Sequence, residues 1–320
     1  IHTRRERINI YILIITIFKT GFKNLKNNYK KNFINCVSPK LVLCAVDQQA
    51  GFYNLKEMCG NPKYISIQNG LCSKDRYEKF YKYCRKYHRE NKKKLTADHS
   101  FVYSKTEKSI LSKIINTKIH VVGSVLNNEF PLNLKEKKYK SILYISATTK
   151  GHHAFEQDFK LDKKIFGQLI EFVKSKKIKL YYMDRPFKSV KTLLLDAFPK
   201  ENWEHISEQN RKERYQLINK QQLVVFTHST LGFEAMVKGI KCLQVTQVFP
   251  IEGFYKKYNK SGEFWTNSLN PSNFKFFLNK MLNLPNSKWK KIAKSYSKEI
   301  VGYDPYNYQI KKVINKILSN

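Results

Sequence analysis

Acid and arginine are what this chain lacks. Asp and Glu number 25 against 60 Lys and Arg, a formal net charge of +35 over 320 residues. Only nine of the basic residues are arginine, at positions 4, 5, 7, 76, 85, 89, 185, 211 and 214. Lysine is a strongly hydrated point charge, whereas the planar guanidinium is the side chain that reads phosphates and bases. A nucleic-acid groove needs arginines clustered with aromatics in a recognisable module, and the scattered arginines argue against a specific nucleic-acid partner. The joint abundance of Lys, Asn and Ile has the character of drift in an AT-rich genome. What survives of the charge argument is peripheral attraction to an anionic membrane face.

Long hydrophobic runs are also missing. The one candidate, Ile8–Phe18, contains Asn9 and Thr16 and is too short to cross a bilayer. Lys19 and Lys23 follow it, with no small-residue cleavage site, so a buried helix or strand is expected there. The chain opens at Ile1 rather than Met, which implies an incomplete N-terminus. The six cysteines form no CxxC pair and no regular spacing. Reduced thiols in a cytoplasmic protein are expected, and a disulfide framework is not. His152-His153 has no third ligand at metal spacing and no Asp-x-Asp dyad occurs, so no metal and no cofactor are expected.

What is present is material for packed cores: 42% of the residues are apolar and 14% aromatic. The length favours two domains. Apolar runs at Leu41–Val46, Tyr64–Ile67, Phe101–Tyr103 and Ile119–Val122 read as strands, the first of them fully buried. Helical patterns at Phe52–Met58 and Thr106–Ile115, and a surface helix or ordered loop at Arg76–Glu90, separate them. The charged connection Pro131–Tyr139 reads as a boundary, giving domains 1–135 and 136–320. The pattern then restarts with strands at Ile142–Ser146 and Ile178–Met183 and helices at Leu161–Val173 and Val190–Phe198. The end of the chain reads as helical, with Tyr306–Leu318 closing the second domain. Strand–helix alternation of this kind predicts an α/β fold with two Rossmann-like parallel-sheet domains, ligand lying in a cleft at the carboxyl ends of both sheets.

The segment Leu223–Val245 is the clearest single unit. Leu223–Phe226 reads as a strand, Thr227-His228-Ser229-Thr230-Leu231-Gly232 as a turn, Leu231–Lys238 as a helix, and Leu243–Thr246 as a second strand. Ser229 or Thr230 can cap the helix, and its free N–H groups favour a phosphate. Gly232 removes a Cβ where a ligand or a neighbouring strand comes close. Glu234 is placed to accept from ribose hydroxyls. A Ser/Thr cap followed by Glu is equally a good helix start, and local sequence leaves both readings open. His228 can contact a phosphate, and Arg185, at a strand end, can bind one bidentately or pair with Asp184. Asp47, after the first strand, is the candidate general base, with capping of the next helix as the alternative.

Ser229-Thr230-Leu231-Gly232-Phe233-Glu234-Ala235-Met236-Val237-Lys238-Gly239 resembles the donor-site segment of bacterial surface-carbohydrate biosynthesis transferases of the GT-B type. Capsule Kdo transferases and CDP-glycerol glycerophosphotransferases are similar at a greater distance. The resemblance continues through Asp47 to Leu55, Ile67-Gln68-Asn69-Gly70, Val121 to Ser124 with Asn127-Asn128, and Gly262-Glu263-Phe264-Trp265, in order from about residue 40 to 300. It implies a GT-B fold and metal-independent transfer of a sugar from a nucleotide-activated donor to a surface polysaccharide or lipid-linked glycan. The cysteine usage and the charge add the expectation of a cytoplasmic protein with room for peripheral contact at the inner membrane face. It places the acceptor near Gln68, Asn69 and Gly70, and the donor near Arg185, His228, Ser229, Thr230, Gly232 and Glu234. Two departures stand out. Asn69 occupies the position of a glycerophosphotransferase histidine, which argues against polyol-phosphate transfer, and Gln48 follows Asp47 where Asn is expected. A non-catalytic scaffold that binds nucleotide or nucleic acid is the alternative from another class.

Overall fold

The computed structural model describes residues 8–71, 74–131, 140–146, 148, 155–184, 194, 196–198, 203–206, 210–227, 229–245 and 261–319. They form two compact units, 1–102 with 107–121 and 308–320, and 103–106 with 122–307. The expected division at 135/136 does not coincide with these units. The segment 132–139 lies outside the described residues.

The first unit holds a four-stranded parallel sheet, β1 (Leu41–Cys44), β2 (Lys63–Ile67), β3 (Leu95–Val102) and β4 (Ile115–Val121), in spatial order β1-β2-β3-β4. Helices α3 (Ala50–Met58), α4 (Lys74–Asn91) and α5 (Lys105–Ile114) are the crossovers that parallel pairing demands. β1 is shorter and less buried than expected because it lies at the sheet edge, where Leu43 is exposed. β3 and β4 run longer than their apolar runs suggested. Polar residues such as Asp98, whose carboxylate accepts from the Tyr64 N–H at 2.8 Å, interrupt the apolar pattern without ending the ladder.

Two helices precede the sheet. Ile10–Thr20 forms α1, and the Lys/Asn-rich stretch after it forms α2 (Leu25–Val37). The expectation that Ile8–Phe18 is buried fails, since within α1 only Ile12 and Thr16 are buried. α2 is joined to the core through Ile34, which packs in a cluster with Phe52, Tyr53, Tyr64 and Phe80.

The second unit is a six-stranded parallel sheet in the order β10-β9-β8-β5-β6-β7. Its strands are β5 (Ser141–Ile145), β6 (Lys179–Met183), β7 (Trp203–His205), β8 (Leu223–Phe226), β9 (Cys242–Val245) and β10 (Trp265–Thr266). The central strands β5 and β8 are wholly buried, with the apolar runs Ile142–Ile145 and Leu223–Phe226, as strands covered on both faces must be. Its helices among the described residues include α6 (Val125–Glu129), α7 (Phe155–Lys176), α8 (Arg211–Lys220), α9 (Thr230–Val237), α10 (Pro271–Asn283) and α11 (Asn286–Ile300). The last helix, α12 (Tyr308–Ser319), belongs to the first unit, not to the second as expected. Lys40 Nζ donates to the Leu318 carbonyl at 3.0 Å.

β5 pairs with β6 on one side and β8 on the other, Ile145 lying opposite both Met183 and Phe226. The chain leaves β5 toward one edge of the sheet and returns through β8 to build the other. This is the topological switch point of a doubly wound sheet, where connections diverge and leave room for a ligand at the carboxyl ends of the strands.

Candidate functional site

At the switch point the chain passes from β8 through Thr227 and Ser229 into α9. Ser229 is the N-cap by position, with extended φ and ψ, and its hydroxyl makes no capping bond to the helix. The Gly232 N–H bonds the Ser229 carbonyl at 3.1 Å. Ser229 and Thr230 are half-buried. A helix start whose cap hydroxyl is not spent on the helix, on a strand next to the switch point, has the geometry that favours an anion. His228 and Arg185, the other expected donor contacts, lie outside the described residues, as do His152-His153.

Two expected donor residues have other work. A Cβ on Gly232 would stand 2.2 Å from Cγ of Phe226. The glycine therefore lets α9 pack on the aromatic ring of β8, which decides between the strand and ligand readings. Glu234 is buried; its carboxylate accepts from the Tyr215 hydroxyl at 2.6 Å and the Tyr103 hydroxyl at 3.4 Å. Burial raises its pKa, opposed by these hydroxyls and the Lys238 charge. Lys238 Nζ lies 4.8 Å above the Tyr215 ring and donates to the Phe130 carbonyl and to Asn219 Oδ1. Glu234 thus anchors α9 to its neighbours instead of presenting an open carboxylate to ribose.

The Val121–Asn128 motif serves the same anchoring. Asn127 Nδ2 donates to the Glu234 carbonyl at 3.2 Å. Asn128 donates to the Val122 carbonyl and Asn307 Oδ1 and accepts from the Asp304 N–H. Gly123 has φ +73°, and a Cβ there would lie 1.8 Å from the Gly302 carbonyl oxygen. In Gly262-Glu263-Phe264-Trp265 the two aromatics are core: Phe264 is fully buried against Trp289 and Tyr296, and Gly262 leaves room for the Trp265 ring, while Glu263 is exposed.

A polar cluster at the end of β5 escaped the sequence reading. Asp162, on α7, accepts from the hydroxyls of Tyr144 and Ser146, and Ser146 Oγ in turn accepts from the Thr148 N–H at 3.1 Å. Complete burial pushes the Asp162 carboxyl up to about 6 despite these bonds. The available signal was Ser146-Ala147-Thr148-Thr149-Lys150-Gly151, a Ser/Thr/Gly segment after a strand, like the one after β8. One strand over, Asp184 lies 3.2 Å from His205 Nε2, and its carbonyl accepts from Arg214 at 2.9 Å.

In the first unit, Asp47 lies beyond the end of β1, buried, with its carbonyl accepting from the Tyr53 hydroxyl at 2.6 Å. Gln68 is buried; its Nε2 donates to the Gly70 carbonyl at 2.9 Å and to Glu107 Oε1 at 2.5 Å. These bonds brace the loop and leave Asn69 as its exposed polar side chain. Glu107 was not anticipated, although Ser104-Lys105-Thr106-Glu107 has the Ser-x-x-Glu spacing of a helix start. A cavity of about 470 Å³ lined by Lys82, Arg85, His88, Arg89, Lys94 and Lys113 lies by the carboxyl ends of α4 and α5, where cations complement the helix dipoles. Among the described residues no group of three His, Cys, Asp or Glu could hold a metal ion.

The fold is that of GT-B proteins. A protein of Listeria monocytogenes described as a "putative UDP-N-acetylglucosamine 2-epimerase" superposes with a TM-score of 0.62 at 15% identity, covering 92% of this chain and 78% of that one. UDP-GlcNAc 2-epimerase of Neisseria meningitidis, bound to UDP-GlcNAc, gives 0.58 at 14%, covering 94% and 81%. The pneumococcal O-GlcNAc transferase GtfA, in complex with UDP and GlcNAc, gives 0.55 at 12%, covering 92% of this chain and 61% of that one. No curated protein matches the chain. Residues 65–318 match the family described as "putative O-antigen biosynthesis protein", and over that span the chain belongs to this O-antigen biosynthesis family.

Proposed function

We propose that the protein is a glycosyltransferase of surface-glycan assembly, moving a sugar from a nucleotide-activated donor to a polysaccharide or lipid-linked glycan. The observation that carries the proposal is the uncapped start of α9 at the switch point of the second unit, in a chain of an O-antigen biosynthesis family. The donor diphosphate sits at the N–H groups of α9 with the Ser229 and Thr230 hydroxyls beside it. The acceptor hydroxyl attacks the anomeric carbon, and the bond from that carbon to the diphosphate oxygen breaks. The diphosphate keeps the electron pair, stabilised by the helix start as its charge grows. Asp47 takes the acceptor proton. No metal or cofactor has a part in this reading.

Epimerisation of a nucleotide sugar is the second reading, because UDP-N-acetylglucosamine 2-epimerases recur among the similar folds. Product analysis separates the two. Transfer releases the nucleotide in step with acceptor consumption, whereas epimerisation leaves the nucleotide sugar whole and needs no acceptor.

The first experiment is thermal shift with UDP-, CDP-, GDP- and CMP-linked sugars. One class should raise Tm by mass action, and Ser229→Ala with Thr230→Ala should weaken that ligand about a hundredfold or more, in line with two lost hydrogen bonds to a charged group at about 1.5 kcal/mol or more each. Asp47→Asn should keep the Tm rise and lose about 10²- to 10⁴-fold in turnover. Protection by no nucleotide would overturn the donor-site reading, and full turnover in Asp47→Asn would remove Asp47 as the base.

A further inference from the structure

α1 is apolar on nearly every side, yet only one side is covered. Ile12 and Thr16 are buried, Asn32 Nδ2 donates to Thr16 Oγ1 at 3.0 Å, and the Asn9 N–H donates to the Tyr29 hydroxyl at 3.0 Å. These contacts pin α1 on α2, and α2 is fixed to the sheet through Ile34. The opposite side presents Ile10, Tyr11, Ile14 and Phe18, with Phe22 just beyond the helix, and Phe18 and Phe22 are 87% and 78% exposed. Ile10, Tyr11, Ile14 and Phe18 lie on one face at helical spacing. Large apolar side chains gathered on one surface mark an interaction site.

Charge selects the occupant. Between residues 7 and 46 there is no Asp or Glu, while Lys19, Lys23 and Lys26 are exposed in and after α1, and Lys30, Lys31 and Lys40 follow. A second copy of a chain carrying +35 would bring like charges together at this surface. An anionic bilayer offers both an apolar layer for the isoleucines and phenylalanines and a negative surface for the lysines. Tyr11 is of the type that settles at headgroup depth. No helix among the described residues is long and apolar enough to cross a membrane. The geometry points to α1 as an interfacial helix that lies in the headgroup plane of an anionic membrane, held by its Ile/Phe face and the lysines around it. The inference rests on the first unit alone and needs no donor, acceptor or turnover, so it stands or falls apart from the transfer reading.

The test is co-sedimentation of the full chain with vesicles of phosphatidylcholine alone or with about 30 mol % phosphatidylglycerol, a strongly anionic surface. Binding should need phosphatidylglycerol. Ile14→Asn with Phe18→Asn should weaken it about tenfold or more, and Lys19→Gln, Lys23→Gln and Lys26→Gln together should do the same and flatten its salt dependence. All five side chains are exposed, so the Tm of both variants should match the parent. Absence of binding would overturn the inference. So would binding indifferent to the Ile14/Phe18 pair, since lysines anywhere on the chain would then suffice. Self-association abolished by that pair, without vesicle binding, would assign the face to a second copy.

Discussion

Single atoms decide what the Thr227–Glu234 turn is for. From sequence, Gly232 served ligand approach and strand approach equally well, because both need the same missing Cβ. The Phe226 ring settles it: Cβ of an alanine would stand 2.2 Å from Cγ and 2.4 Å from both Cδ atoms. That ring is fully buried and lies 4.9 Å from the Phe233 ring in an edge contact. Gly232→Ala should therefore destabilise the second unit by about 1–3 kcal/mol, the usual cost of forcing atoms into a packed core. At Gly51, in the first turn of α3, an added Cβ meets nothing within 4 Å. Gly51→Ala should be neutral or stabilising by up to about 1 kcal/mol, since alanine loses less entropy in a helix. Urea titrations of the two variants check the contrast, and equal midpoints would show that the α9–β8 contact is looser than its geometry. Glu234 carries the same lesson. Its place on the helix was legible, although the helix starts at Thr230 and puts it past the first turn, but the tyrosines that claim its carboxylate, Tyr103 and Tyr215, come from outside the segment, and no local pattern announces them.

At the scale of elements, the four inner strands of the second unit were plain because buried parallel strands are largely apolar runs, and β5, β6, β8 and β9 stand within a residue or so of their sequence readings, whereas the short outer strands β7 and β10 carry too few residues to show a pattern and were not read. The failures share a cause. Apolar character says that a segment prefers to leave water, not that the fold supplies a cover, so α1 and the edge strand β1 were both read as buried. The β5–α7 contact shows the converse, a polar cluster where sequence shows only a strand and an amphipathic helix. Its consequence is a pH dependence. Asp162 ionises at about 6 in the folded protein against the ordinary 3.8. Between those values the folded chain holds a proton that the unfolded chain has released. Stability from this group is therefore greatest at low pH and falls as pH rises from about 4 to 6. About two pKa units correspond to about 3 kcal/mol at most. Asp162→Asn should remove this slope, measured as the urea midpoint at several pH values against the parent. An unchanged slope would mean that Asp162 ionises as freely folded as unfolded.

At the scale of the whole molecule, the alternation of strand and helix was enough to predict two parallel-sheet units, but not where the chain changes between them. Pro131–Tyr139 looked like a linker because it is charged and begins with proline, whereas the segment from Val122 onward already belongs to the second unit, tied there by the Asn127 and Asn128 hydrogen bonds. Periodicity gave α12 its apolar face without saying which core that face joins. The chain enters the first unit, builds the second, and returns at Tyr308, so its last helix stabilises its first sheet. This can be read optically. Trp203, Trp265 and Trp289 all lie in the second unit, so tryptophan fluorescence reports that unit alone, while far-UV circular dichroism reports both. Ile310, buried on α12, should cost about 2–5 kcal/mol when cut to alanine. Ile310→Ala should lower the urea midpoint seen by circular dichroism and leave the tryptophan midpoint where it was, separating two transitions that a two-state fit would merge. If the tryptophan midpoint moved as far as the dichroism, α12 would be anchored to the second unit after all, and the return of the chain to its first sheet would contribute nothing to that sheet's stability.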